Sequence, residues 1–437
     1  MSPPVSCSSC SARQGGRRAS ISETLDGTNG FRLDPGTQIN DLYLGRLLAP
    51  GGDVNADGRQ DLLLASQQRA YAVFGHAPGD PAFAAEITLP ALDGTDGFLI
   101  TAPAGSGYNS ITGLDTGDTD GDGVSDVVAA DQYYPLFTAP VGAIFSVYGH
   151  ADPFGSQFSL DGVDGTNGFR MDGAAANQAF GGMLSSSSDL SGDGLTDFVT
   201  VDNYGAEGVI VFGTPGPHPA SFTIPTLDGT NGFRFVGDGL SNFNVATGGD
   251  INADGKPDMM FCEGTISPGH SFPGRSCYVV FGSATGYPAT LTPAQLDGTN
   301  GFTYQAEPYA TKTGAQAAMV GDINNDGYDD LAIGTATFLL PSGGNRTLVH
   351  VIFGSPNGFP ATLDQTYLDG VHGFLIDALS TGAYVTGVSG GGDVNGDGVD
   401  DLVVSTSSSS EGSIGDFVYV VYGKGDVIFQ NGFDAPN

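Results

Sequence analysis

The sequence predicts an all-β protein, a β-propeller of four-stranded antiparallel blades, on three observations. Three short signatures recur in fixed order six times along the 437 residues. Each recurrence holds four runs of strand-forming residues set between turn signals. No stretch sustains the 3.6-residue apolar period of an amphipathic helix. Four strands per unit, repeated around an axis, is blade architecture. Successive acidic motifs lie 61 to 72 residues apart, longer than the roughly 20–45 residues of linear solenoid repeats. The count gives six blades, with seven as the alternative.

Residues 1–24 read as a flexible tail, with 25–437 as one domain. The tail holds Cys7 and Cys10 as an isolated C-x-x-C, a weak redox or zinc signal without a βαβ context or a second pair. It has no apolar core of a signal peptide. The first signature is LDGTNGF at Leu25, returning at Leu92, Val163, Leu227, Leu296 and Leu368. Its Asp-Gly turn leads into a strand such as GFRLD. A Gly-, Ala- and Ser-rich run comes next, as in FGGMLSSSSD from Phe180. Small residues suit the crowded strand nearest a propeller axis. The acidic motif follows, and its last aspartate opens a β-branched strand: DLLLAS, DVVAAD, DFVTVD, DMMFCE, DLAIGT and DLVVST. An aromatic-glycine strand (YAVFG, FSVYG, VIVFG, YVVFG, HVIFG, YVVYG) ends each unit. Closing a ring needs a strand from one end of the chain at the other. The opening GFRLD is expected on the outer edge of the last blade, in competition with IFQNGFD at Ile428–Asp434. Cys262 and Cys277 lie on strands that can neighbour each other across a hairpin, which leaves a disulfide and two free thiols equally open.

The acidic motif places oxygen-bearing residues at positions 1, 3, 5 and 9, with glycine at 6. In chain order these are Asp53, Asn55, Asp57 and Asp61; Asp118, Asp120, Asp122 and Asp126; Asp189, Ser191, Asp193 and Asp197; Asp250, Asn252, Asp254 and Asp258; Asp322, Asn324, Asp326 and Asp330; Asp393, Asn395, Asp397 and Asp401. Alternate oxygens curling about one point, with glycine at the sharp turn, are how loops wrap Ca²⁺. Position 7 would add its backbone carbonyl: Arg59, Val124, Leu195, Lys256, Tyr328 and Val399. The bidentate Glu at position 12 of a helical EF-hand is missing, and the ninth-position Asp takes that role. Only hard oxygen donors are present, which points to calcium rather than zinc. Asp-Gly clusters also serve as plain turns, but six copies at one spacing favour the ligand reading. Carboxylates about 5 Å apart repel by up to a few kcal/mol per pair at intermediate dielectric. Six Ca²⁺ ions would move the formal charge from −35 to −23. The all-aspartate second loop is expected to bind tightest, and the third, with Ser191, weakest.

These residues resemble the FG-GAP repeat of integrin α-subunit propellers and their bacterial relatives, over nearly the whole chain from Leu25 onward. The resemblance rests on the D-x-[DN]-x-D-G-x-x-D motif, flanked by GFRLD, DLLLAS and YAVFG. It implies calcium in a hairpin loop on the lower face of a propeller, held by the residues above. The Phe-Gly and Gly-Ala-Pro marks of that family are eroded here, and integrin propellers have seven blades.

The balance of 14 basic against 49 acidic residues disfavours nucleic-acid phosphates as partner. No apolar run approaches the ~20 residues that span a bilayer. If the acidic loops lie below, the long connections DQYYPLFTAP from Asp131, EGTISPGHSFPGRS from Glu263 and TATFLLPSGGNR from Thr335 lie above. Their Tyr133, Tyr134, Phe137, Phe272 and Phe338 either cover the core ends or form a recognition face for a protein or glycan. No nucleophile elbow, P-loop, zinc-protease or dinucleotide motif is present. His270 is the one histidine placed for acid–base work. The expectation is a monomeric, non-enzymatic, extracellular or periplasmic binding and adhesion module. The alternative is a calcium-dependent polysaccharide lyase or another carbohydrate-active enzyme on the same scaffold.

Overall fold

The computed structural model describes residues 25–424 apart from segments at 28–30, 37–43, 77–82, 105, 107–109, 136–138, 203–206, 238–242, 264–275, 284, 306–309, 340–344, 379–382 and 409–416. The tail at 1–24, Phe137, His270, Phe272 and Ile428–Asp434 therefore lie outside the described residues. The chain is a β-propeller of successive small sheets. Its helical segments among the described residues are four single 3₁₀ turns, and none is long and apolar enough to cross a membrane.

Blade 1 runs from the axis outward through Leu47–Pro50, Leu62–Ala65, Arg69–Val73 and Gly97–Thr101, all antiparallel. Blade 2 repeats this with Gly113–Gly117, Asp126–Asp131, Ala143–Val147 and Gly168–Asp172. Blade 3 uses Phe180–Ser188, Asp197–Asp202, Glu207–Val211 and Gly232–Val236. Blade 4 uses Phe243–Thr247, Met259–Glu263, Ser276–Val280 and Gly301–Gln305. Blade 5 uses Ala310–Gly321, Asp330–Leu339, Asn345–Ile352 and Gly373–Ala378. The sixth sheet has three strands, Ala383–Gly392, Asp401–Ser408 and Phe417–Val421.

Small residues line the axis because the next blade stands against them. A Cβ on Gly113 would come 2.5 Å from Leu184, and one on Gly117 would come 2.3 Å from Thr196. The apolar core lies between blades. Leu63, Ala65, Ala70 and Ala72 of blade 1 face Val127, Ala129, Phe145 and Val147 of blade 2. Corresponding clusters fill the next four interfaces. Cys262 and Cys277 are directly opposite on the middle strands of blade 4 and form a disulfide, which decides between the two states their hairpin placement allows.

Two features differ from the sequence reading. Blades 1 to 4 carry a fifth, outermost strand that runs parallel to the fourth: Gln157–Ser159, Ser221–Thr223, Thr290–Leu291 and Thr362–Asp364. These strands of two or three residues are too short to carry a readable alternation. In blade 5 the supposed loop TATFLLPSGGNR is largely hairpin. Its strand runs on through Leu339, so Phe338 lies on a strand, and the return strand begins at Asn345. Thr335, Thr337 and Phe338 have enough strand propensity to extend the ladder past the sheet.

Candidate metal centre

The six acidic motifs connect the first and second strands of their sheets, so all occupy the same end of the propeller. The first-position aspartate sits at the hub of each loop. Asp53 accepts the N–H groups of Asp57 and Gly58 at 2.9 and 2.8 Å. Asp250 accepts those of Asp254 and Gly255 at 2.9 and 2.7 Å. Asp189, Asp322 and Asp393 do the same with their own loops, whereas Asp118 accepts the N–H groups of Gly121 and Gly123. The fifth-position carboxylates of Asp57, Asp122, Asp193, Asp254, Asp326 and Asp397 accept the N–H of position 7, namely Arg59, Val124, Leu195, Lys256, Tyr328 and Val399. At position 3, Asn55, Asn252, Asn324 and Asn395 donate their side-chain amide to the fifth-position carboxylate. Asp120 instead accepts the Asp122 N–H, and Ser191 donates to Asp189.

Glycine at position 6 is left-handed in every loop, from φ +82 at Gly58 to +91 at Gly327, which meets the sharp-turn requirement. Position 4 is left-handed as well, and three copies place a side chain there: Ala56, Ala253 and Asn325. Composition alone does not reveal that constraint.

The ninth-position aspartate has a second task. Asp61 accepts Val54 N–H at 2.8 Å and Gly75 N–H at 2.9 Å. Asp126, Asp197, Asp258, Asp330 and Asp401 repeat the pattern with Gly149, Gly213, Gly282, Gly354 and Gly423. These are the glycines of the aromatic-glycine signature, which accounts for their recurrence. A Cβ at Gly149 or Gly423 would lie 2.2 or 2.1 Å from the carbonyl oxygen just before the ninth aspartate. Burial raises the carboxyl pKa to about 6 at Asp61, about 7 at Asp126, Asp197 and Asp258, and about 8 at Asp330; the backbone N–H bonds oppose the shift. A cation beside these groups would favour their ionised form.

The loops fit a hard divalent cation by donor chemistry. In the second loop, carboxylate oxygens of Asp118, Asp120 and Asp126 all lie within 4.8 Å of one another. Among the described residues, the ion pairs of the fold engage other acids, such as Asp34, Asp172 and Glu207. In the third loop, the ammonium nitrogen of Lys256 from the next blade reaches within 2.8 Å of where a Cβ on Gly192 would stand. The aspartates of the LDG signature are different. The threonine two residues on donates its hydroxyl and then its N–H to Asp164, Asp228 and Asp297, while Asp93 caps the N–H of Thr95 and Asp369 that of Val371; these bonds hold each carboxyl below the usual range. They are turn caps at the outer edge.

Of the aromatic residues proposed for the opposite face, Tyr134 belongs to the core. It packs on the cluster between blades 1 and 2, edge-on to Phe145 at 5.6 Å, with the Arg170 guanidinium 4.9 Å from its ring centre. Tyr133 beside it is half-buried.

Fold and loops together define a β-propeller with an acidic hairpin loop in successive blades. Residues 314–352 match the FG-GAP repeat, a span that covers most of the inner strand, the acidic loop and the next two strands of blade 5. That match supports a protein of FG-GAP type. No curated protein matches the chain.

Proposed function

We propose that the chain is a calcium-stabilised binding module that works outside the cytoplasm and takes a protein or glycan on the face opposite its acidic loops. The convergence of Asp118, Asp120 and Asp126 carries the calcium part of this reading. Three carboxylates at that separation, with hydrogen bonds already spent on holding the loop shape, leave oxygen lone pairs aimed at one point. Exposed loops of this kind suit the calcium levels found outside cells. Each bound ion would clamp the turn between the two innermost strands of a blade. The rigid rim at the other end would then present the loops after the second strands to a ligand.

Metal analysis of protein dialysed against trace calcium, with calorimetric titration after EDTA treatment, tests the metal. Up to six ions per chain are expected; none bound at millimolar calcium would refute it. For the ligand, glycan arrays and pull-downs with and without chelator are compared with a variant in which Tyr133 and Phe272 are both replaced by Ala. Undiminished binding by that variant removes the assigned face. Release of unsaturated products from polyuronates, followed by ultraviolet absorbance, would replace the binding module with a lyase.

A further inference from the structure

We infer that Arg32–Asp34 and Phe417–Val421 are adjacent strands of one blade, and that their pairing closes the propeller as a ring of six. Arg32–Asp34 pairs in parallel with Glu86–Thr88, apart from the named blades. The register is that of the outermost pair elsewhere. Arg32 faces Glu86 as Leu99 faces Gln157, Arg170 faces Ser221 and Thr303 faces Thr362. All four stand two residues after the glycine of the GF signature. This pair is therefore the outer rim of a blade whose inner strands lie elsewhere in the chain. Its location agrees: Leu33 and Ile87 pack on Leu64, Tyr71 and Val73, the face of blade 1 turned away from blade 2. Ile100 and Phe158, their counterparts one blade on, pack in the same way against blade 2.

Among the described residues the sixth sheet shows no such rim, and the outward face of its third strand is exposed. Val418 and Val420 are 68% and 43% exposed. Their counterparts are fully buried: Ala70 and Ala72, Ile144 and Ser146, Cys277 and Val279, Val349 and Val351. Leu48, on the matching face of blade 1, is 67% exposed. Val394, second residue of the sixth acidic loop, is 55% exposed, whereas Val54, Leu190 and Ile251 are fully buried beneath the next blade. The carbonyls of Val54, Ile251 and Ile323 each accept the N–H just after the next blade's aromatic-glycine pair, from His150, Ser355 and Lys424. By this rule His76 is the donor for Val394. Four independent positions thus point to the same missing contact, between the last sheet and the first. The occupant is already in the chain, with the strand count and register of its siblings.

The register is fixed by the other blades. Thr303 faces Tyr278 and Arg170 faces Phe145, so Arg32 faces Tyr419. The Arg32 N–H points outward to Ala85, as that of Thr303 does to Ala361. Its inner side is therefore a non-hydrogen-bonded site, where opposite Cα atoms lie about 4.5 Å apart. Such a pair accepts a disulfide, as Cys262 and Cys277 do at 4.1 Å. In a Cys7→Ser, Cys10→Ser background, the Arg32→Cys/Tyr419→Cys variant is expected to form an intramolecular disulfide in most molecules under mild oxidation. An Arg32→Cys/Val421→Cys control, one pair out of register, should form at least about tenfold less, since opposite and diagonal neighbours differ by several ångströms. Peptide mapping of the non-reduced protein reads both. Failure of the first pair, equal yields, or bonds only between two chains would overturn the proposal. Hydrogen exchange on the unsubstituted chain provides a second reading, independent of whether the variants fold. In a closed blade the Val418 and Val420 amides point into the new ladder and exchange at least about 100-fold slower than free amides. Exchange at the free rate, with or without calcium, equally overturns it.

Discussion

Replacing the ninth-position aspartate of the fourth loop separates a hydrogen-bond role from a metal role. Asp258 is fully buried and accepts Ile251 N–H at 2.9 Å and Gly282 N–H at 2.8 Å. Asp258→Ala strands both donors in a buried site. An unsatisfied buried donor costs about 1–3 kcal/mol, so the variant should lose about 2–6 kcal/mol even in EDTA. For a chain this long, 1 kcal/mol corresponds to about 1 °C in Tm at roughly 2.1 cal/mol/K per residue. Scanning calorimetry in chelator should therefore show a fall of about 2–6 °C. Asp254, at position 5 of the same loop, holds the exposed Lys256 N–H and Asn252 amide. Asp254→Ala should lose about 1 kcal/mol or less in EDTA but forfeit the calcium-dependent increment of that loop. Should Asp258→Ala melt like the parent in EDTA and differ only when calcium is added, the ninth aspartate is simply a ligand. The hydrogen-bond account of the aromatic-glycine signature would then be wrong.

Three further outcomes follow from the same geometry. Calcium at 100 times its dissociation constant should stabilise by about 2.7 kcal/mol per loop; the second loop should saturate first and the third last. Lys256→Gln should narrow that gap, and calorimetric titration ranks the loops. Replacing Cys262 and Cys277 together by Ala opens a cross-link of sequence separation 15 and should cost about 3 kcal/mol on the loop-entropy estimate, read by chemical denaturation. Burial holds the Asp131 carboxyl up at about 6 despite its bonds to Ser106 and Tyr133. A folded pKa above the unfolded value near 3.9 means that this stability is present in acid and is lost as pH rises from about 4 to about 6. At 1.36 kcal/mol per unit the loss is at most about 3 kcal/mol, and Asp131→Asn should remove that slope in denaturation curves compared across pH.

The repeats made much of this architecture legible. Strand order within a blade, the loop between its first two strands and the left-handed sixth glycine all follow from signatures that recur with fixed spacing. Features encoded only by contact between segments separated along the chain stayed hidden. The ninth aspartate's grip on the aromatic-glycine N–H joins residues 14 apart at Asp61 and Gly75 and 24 apart at Asp258 and Gly282, and no local pattern announces it. The parallel outer strands are too brief for periodicity. Tyr134 looks like an exposed loop aromatic until Arg170 and Phe145 are placed around it. The long hairpin of blade 5 defeats the assumption that a Gly- and Pro-bearing stretch is a loop from end to end.

Blade and repeat are out of phase throughout. Blade 1 takes its three inner strands from one unit, its fourth from the start of the next and its fifth from the threshold of the one after. Excising the second repeat, residues 92–162, therefore breaks the first and second sheets at once. The length of such a chain is expected to change only by processes that copy or remove whole units in frame with the overlap, and a fragment cut at a signature will carry one bare edge at each end.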